Sequence, residues 1–156
     1  SRSGESLPPL RELLREKGDV VRGRILFFNE EKTSCSRCHS IAYEGPNIGP
    51  NLRTIGEKLS RQAIFESILN PNAGISHEYQ PWIIDTKDEE GLMGYIRSEN
   101  ADSLELMDSA GVGTRILIAD IVLREKSTIS VMPTGLVAGM SVQELVDLVA
   151  FVKTLE

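Results

Sequence analysis

Cysteine and histidine are scarce in this 156-residue chain, with two of each. Two cysteines cannot build the disulfide framework of a small secreted scaffold. A structural zinc site needs four ligands at finger-like spacing, and the histidine supply does not provide them. Basic residues are also in the minority, 17 against 23 acidic, which leaves a formal net charge of -6 and a pI near 5.0. With no basic stripe to track phosphates, nucleic acid is not an expected partner. Long apolar runs are missing too. None approaches the roughly 20 residues of a membrane helix, and none follows a charged stretch in the manner of a signal sequence, so a soluble chain without a membrane span is expected. What remains is ordinary globular composition, 40% hydrophobic and 26% charged. That excludes disordered, collagen-like and coiled-coil classes and suggests one domain with room for an insertion.

The two cysteines stand together, in Cys35-Ser36-Arg37-Cys38-His39. This is the C-x-x-C-H pattern of covalent c-type haem attachment. The thiols add across the haem vinyl groups, and His39 becomes the proximal iron ligand. A dithiol redox centre uses C-x-x-C as well, but at a helix start after a strand; this pair follows a helical stretch. In the zinc reading, His39 abuts Cys38 and only His77 is left over.

Helical signals flank the motif and recur at the far end. Leu10, Leu13 and Leu14 have i, i+3, i+4 spacing, with Gly18 as a candidate C-cap. Asp19 offers an N-cap to a second helix carrying Gly23 and Phe27 on one face. A mid-helix glycine costs about 1 kcal/mol against alanine, which points to close approach of another helix. Ser60 to Pro71 reads as a third helix, apolar at Ile64, Phe65, Ile68 and Leu69. Ser141 and Glu144 form a capping box ahead of a stripe of Leu145, Leu148, Val149, Val152 and Leu155. Residues 79–126 differ: apolar residues alternate or cluster around Trp82–Thr86, Gly91–Ile96, Ser103–Met107 and Thr114–Ile118, with turn residues between them. Four or five short strands are expected, as a self-contained insertion that contributes no iron ligand.

Candidates for the sixth iron position are Met93, Met107, Met132, Met140 and His77. Met93 and Met107 fall in expected strands, where sheet core is the simpler role, and Met140 adjoins a helix cap. Met132 lies in the irregular segment Ser130-Val-Met-Pro-Thr-Gly-Leu136, kept extended by the proline after it. Met132 is therefore the expected partner of His39, with His77 as the alternative.

In sequence order, Gly23 and Phe27, the Cys35–His39 motif, Gly49-Pro50-Asn51-Leu52, a Met-Pro loop and a last helix reading Asp147-Leu-Val-Ala-Phe-Val152 resemble class I cytochrome c. The resemblance implies that the Pro50 carbonyl accepts a hydrogen bond from the proximal imidazole. It also implies that Pro50 and Leu52 lie among the haem-binding residues and that the terminal helices cross near Gly23 and Phe151. A closer resemblance is to the haem-binding-domain family often found at the C-terminal end of large secreted bacterial dehydrogenase-like proteins. The shared features are Gly-Pro-Asn-Leu, the Ser60-Arg to Asn70-Pro-Asn72 stretch, a β insertion and Met132-Pro-x-Gly-Leu136. The fold implied is mainly α: a class I cytochrome c helical core over 19–156, with a β-rich insertion at 79–126 before the methionine loop and a helix or linker at 1–18.

The expected function is electron transfer by one haem c, covalent through Cys35 and Cys38 and ligated by His39 and Met132, in a carrier and not an enzyme. The alternative is a haem sensor or peroxidase-like protein with a displaceable or different sixth ligand. Expected partners are redox proteins or a fused dehydrogenase domain. Covalent attachment implies a periplasmic or otherwise exported location.

Overall fold

Side-chain caps set the start of the three longer helices in the computed structural model, which describes residues 6–156. The helices are α1 (Leu10–Leu13), α2 (Val20–Phe27), α3 (Cys35–Cys38), α4 (Ile55–Lys58), α5 (Arg61–Leu69) and α6 (Val142–Lys153). Asp19 accepts the Arg22 N–H at 2.8 Å to cap α2. Ser60 accepts from Ala63 at 3.1 Å to cap α5. At α6 both halves of the capping box form: Glu144 N–H donates to Ser141 Oγ, and Ser141 N–H donates to Glu144 Oε1. Residues 1–5, part of the expected 1–18 segment, lie outside the described residues.

The expected mainly α class is not what forms. Helix, 3₁₀ turns included, accounts for 31% of the described residues and strand for 21%, with one five-stranded antiparallel sheet. Three of the six helices are single turns of four residues, so helical elements contribute less length than their number suggests. The strands, β1 (Pro81–Thr86), β2 (Leu92–Glu99), β3 (Ser103–Met107), β4 (Gly113–Leu117) and β5 (Ile121–Lys126), carry a hydrophobic cluster of their own. The described chain forms two compact units, one running to Asn70 and including Thr134–Glu156, the other Pro71–Pro133.

In the helical unit, α2 and α6 cross at backbone contact distance. A Cβ on Gly23 would sit 1.9 Å from the Asp147 carbonyl oxygen, which only glycine avoids. Gly18 is not the C-cap of α1, a role that falls to Leu14; a Cβ on Gly18 would meet the Val146 carbonyl at 2.4 Å, so Gly18 is a second point of close approach to α6. Asp147, 1% exposed, ties the crossing together. It accepts from the Asp19 N–H at 2.7 Å, Arg22 Nε at 2.8 Å and Gln143 Nε2 at 2.8 Å. Burial pushes its carboxyl up, but these donors together hold it below the ordinary aspartate range. Phe27, Phe65, Leu145, Leu148 and Val149 fill the core beneath.

In the sheet unit the strand order is β4-β3-β2-β1-β5: a four-strand meander whose fifth strand returns to pair with the first. Registers Trp82↔Gly94, Ile84↔Leu92 and Ile96↔Leu106 put Trp82, Ile84, Leu92, Ile96, Leu104, Leu106 and Ile116 on one face, where they cluster. Met93 and Met107 belong to the other face, with Ile83 and Tyr95, and are not part of that cluster. Strand β5 has no matching apolar alternation in the sequence because it is an edge strand, exposed over Val122–Lys126. The segment Pro71–Pro133 also holds eleven carboxylates against five lysines and arginines, whereas the rest of the chain has twelve of each.

Candidate cofactor site

The first thiol is delivered by a short, heavily bonded loop after α2. The Asn29 carbonyl accepts N–H groups of Lys32, Thr33 and Ser34 at 3.0 to 3.3 Å. Thr33 is 1% exposed and donates its hydroxyl to the Leu26 carbonyl, which also accepts the Asn29 N–H at 3.1 Å. Ser34 is the one non-glycine with positive φ among the described residues, at 59°, and its hydroxyl donates to the Glu30 carbonyl at 2.7 Å. This left-handed residue turns the chain into α3, whose single turn carries Cys35 and Cys38. Residues three apart on a helix are surface neighbours, so both thiols lie on one side of the turn.

His39 follows as the C-cap of α3, its N–H bonded to the Cys35 carbonyl at 3.0 Å. Its Nδ1 lies 2.6 Å from the Pro50 carbonyl oxygen. A carbonyl can only accept, so Nδ1 carries the proton and Nε2 is left with its lone pair free. Gly49 passes so close that a Cβ on it would fall 2.6 Å from His39 Cε1 and 2.9 Å from Nδ1. The loop is held in turn by Gly49 N–H to Cys38 carbonyl and Leu52 N–H to Ser40 carbonyl, both 2.8 Å. Buried Ser40 donates to the Glu44 carbonyl at 2.8 Å, and Asn51 Nδ2 donates to the Ala42 carbonyl at 2.6 Å. Leu52 is half-buried against the core of the helical unit, as are Ile41, Ile55, Leu59, Val137 and Met140.

Electrostatics fit the same purpose. Burial lowers the His39 pKa, partly opposed by the Pro50 bond, so the ring is neutral at neutral pH, the form that ligates a metal. Burial raises the Cys35 thiol, and the Cys38 thiol likewise, so both are S–H groups. Two protonated thiols beside an oriented neutral imidazole, framed by half-buried aliphatic side chains, make a donor set suited to covalently attached haem.

The residues singled out from sequence fall into two groups. Cys35, Cys38, His39, Pro50 and Leu52 come together in the helical unit. Met132 belongs to the sheet unit, half-buried, with its N–H donating to Ser130 Oγ at 3.1 Å. His77 is exposed in a 3₁₀ turn of that unit, and Met140 packs on the helical core. Sequence reasoning missed Thr33 and Ser34, whose roles rest on one buried hydroxyl and one positive φ. It also quoted Gly49 without foreseeing its contact with the imidazole.

A sequence model of the family described as Cytochrome c matches residues 20–100, just over half the chain. No curated protein sequence matches it. Among the described residues no helix is long and apolar enough to cross a membrane.

Proposed function

The chain belongs to the cytochrome c family, a family of haem-binding electron-transfer proteins, and on that footing we propose that it is a single-haem electron carrier in which Cys35 and Cys38 form the thioethers and His39 and Met132 are the axial ligands. Haem c, when bound, supplies a one-electron couple. The chain's residues do the rest. Cys35 and Cys38 anchor the group to one helical turn, so that it cannot dissociate in either oxidation state. Pro50 fixes the imidazole tautomer and raises its donor strength, the outer-shell orientation a metal-bound histidine needs. The half-buried aliphatic side chains of the helical unit lower the local dielectric and exclude water. A methionine opposite histidine favours the ferrous state and leaves no open position for dioxygen or peroxide, which suits outer-sphere transfer and not enzymatic turnover.

The observation that carries this reading is the 2.6 Å bond from His39 Nδ1 to the Pro50 carbonyl beside the two thiols, because it frees Nε2 and orients the ring. The partners are redox proteins, or a dehydrogenase-like domain in the same polypeptide, and the location is periplasmic or otherwise exported.

Spectra of the purified holoprotein test it. Retention of the chromophore by the denatured chain after acid-acetone extraction, and the weak far-red ferric band of methionine ligation, are the expected results. High-spin haem that binds carbon monoxide readily would favour a sensor or peroxidase-like role instead. Met132→Ala is expected to abolish the far-red band; its survival there and loss in Met140→Ala would move the ligand to Met140, which shares the compact unit of His39.

A further inference from the structure

The segment that carries Met132 is bonded into the sheet unit at two levels. Asn72, just past the end of the helical unit, accepts the Ser130 N–H on its side-chain oxygen at 2.7 Å, a bond that spans 58 residues of sequence. Ser130 in turn accepts the Met132 N–H on its hydroxyl at 3.1 Å. Behind them, buried Ser127 accepts the Ile129 N–H at 3.1 Å, and its carbonyl accepts Gln80 Nε2 at 2.9 Å. Ser127 N–H donates to the Pro81 carbonyl at 2.9 Å, which extends the pairing of β1 with β5. No backbone ladder holds residues 128 to 133, so these side-chain acceptors define their path. Asn72 and Ser130 stand in series: one fixes the backbone at Ser130, the other passes that position on to Met132.

We propose that Asn72 and Ser130 are positioning residues for the sixth iron ligand, holding the Met132 segment in its ligating conformation. The inference rests on Met132 being that ligand. The pair sets how often the methionine leaves its place: with either acceptor removed, the segment samples more conformations, the ligand-off state grows, and an added ligand competes more successfully. Asn72 and Ser130 supply neither a thioether nor the imidazole, so covalent attachment and proximal ligation are expected to survive their loss.

The test uses the full-length ferrous holoprotein and carbon monoxide as the probe, with rates measured by stopped flow and the ferric far-red band recorded in parallel. Asn72→Ala is expected to keep the band at neutral pH while raising the rate of carbon monoxide binding about two- to tenfold, the population change that one lost hydrogen bond produces. Asn72→Asp, which keeps an acceptor oxygen, is expected to restore the wild-type rate; a purely structural role for Asn72 would shift the urea midpoint without this pattern. Ser130→Ala is expected to show a similar increase, and it carries the test if Asn72→Ala does not accumulate. Met132→Ala separates the two ideas. If it loses the band and binds carbon monoxide fastest, while Asn72→Ala and Ser130→Ala match the wild type, the positioning role is overturned and the ligand assignment stands. If Met132→Ala keeps the band, the ligand assignment itself fails.

Discussion

Replacing Gly49 with alanine probes the tightest contact at the site. The added methyl carbon would fall 2.6, 2.9 and 3.1 Å from three atoms of the His39 ring, where ordinary contact begins at 3.4 Å. Something must therefore move by up to about 0.8 Å, the gap between the closest of these distances and ordinary contact. The ring cannot retreat freely, since Nδ1 is bonded to the Pro50 carbonyl at 2.6 Å and the residue's own N–H is bonded to the Cys35 carbonyl at 3.0 Å. Overpacking of this kind costs about 1–3 kcal/mol. Weakening the imidazole bond adds about 1 kcal/mol. A total of about 2–4 kcal/mol, divided by a guanidinium slope of roughly 4 kcal/mol/M, predicts a fall in the unfolding midpoint of about 0.5–1 M. The measurement is guanidinium unfolding of the ferric holoprotein, followed by far-ultraviolet circular dichroism and by the Soret band. Gly139→Ala is the control: a Cβ there meets nothing within 4 Å, and its shift should stay within about 0.5 kcal/mol. Equal midpoints for the Gly49→Ala and Gly139→Ala proteins would refute the argument that the Gly49 backbone braces the imidazole.

Gly23→Ala, with its Cβ 1.9 Å from the Asp147 carbonyl, should destabilise the helical unit by about 3 kcal/mol, read as a lowered urea midpoint with unchanged slope. Asp147 has a folded pKa depressed below its unfolded value, so the stability it contributes is present above the unfolded pKa, roughly 3.9, and is lost as pH falls through the folded value. Asp147→Asn should therefore be less stable at neutral pH and lose part of the acid dependence of the urea midpoint below about pH 4; an unchanged pH profile would show that the carboxylate is not held by its donors. Ser141→Ala removes the α6 cap and should cost about 1 kcal/mol in the same assay.

How far the sequence revealed the structure depended on the range of the interactions involved. Cap residues act within one turn, so Asp19, Ser60 and Ser141 each marked a helix start that the structure contains. Gly23 could be read as a contact because a glycine inside a helix needs a reason, and the α6 backbone supplies it. Gly18 misled, since a glycine after a leucine-rich turn also suits a C-cap, and only the position of Val146 distinguishes the two. The balance of helix and strand was misjudged because caps and periodicity mark where elements occur and not how long they run; α1, α3 and α4 are single turns. Met107 is buried as expected of sheet core and Met93 is half-buried, but both lie on the face opposite the Ile84–Leu106 cluster, and alternation does not say which face gathers it. At the site, the C-x-x-C-H spacing is local and was legible. The Thr33 hydroxyl and the Asn72–Ser130 bond depend on chain reversals that no short pattern records.

The charge partition between the two units separates two ranges of force. All six formal negative charges of the chain in excess of neutrality fall within Pro71–Pro133, and Cys35, Cys38 and His39 sit in a stretch whose charges cancel. At physiological ionic strength, charge is felt over about 8 Å, so the sheet unit is the part that a distant basic surface senses first. The unit that carries Cys35, Cys38 and His39 is left to short-range fit. Salt should then slow encounter with a basic partner chiefly through the sheet unit's excess carboxylates, and neutralising acidic residues of that unit should flatten the salt slope. A protein built this way can change which partner it attracts by altering surface charge in one unit, with the sequence of the Cys35–His39 motif left as it is.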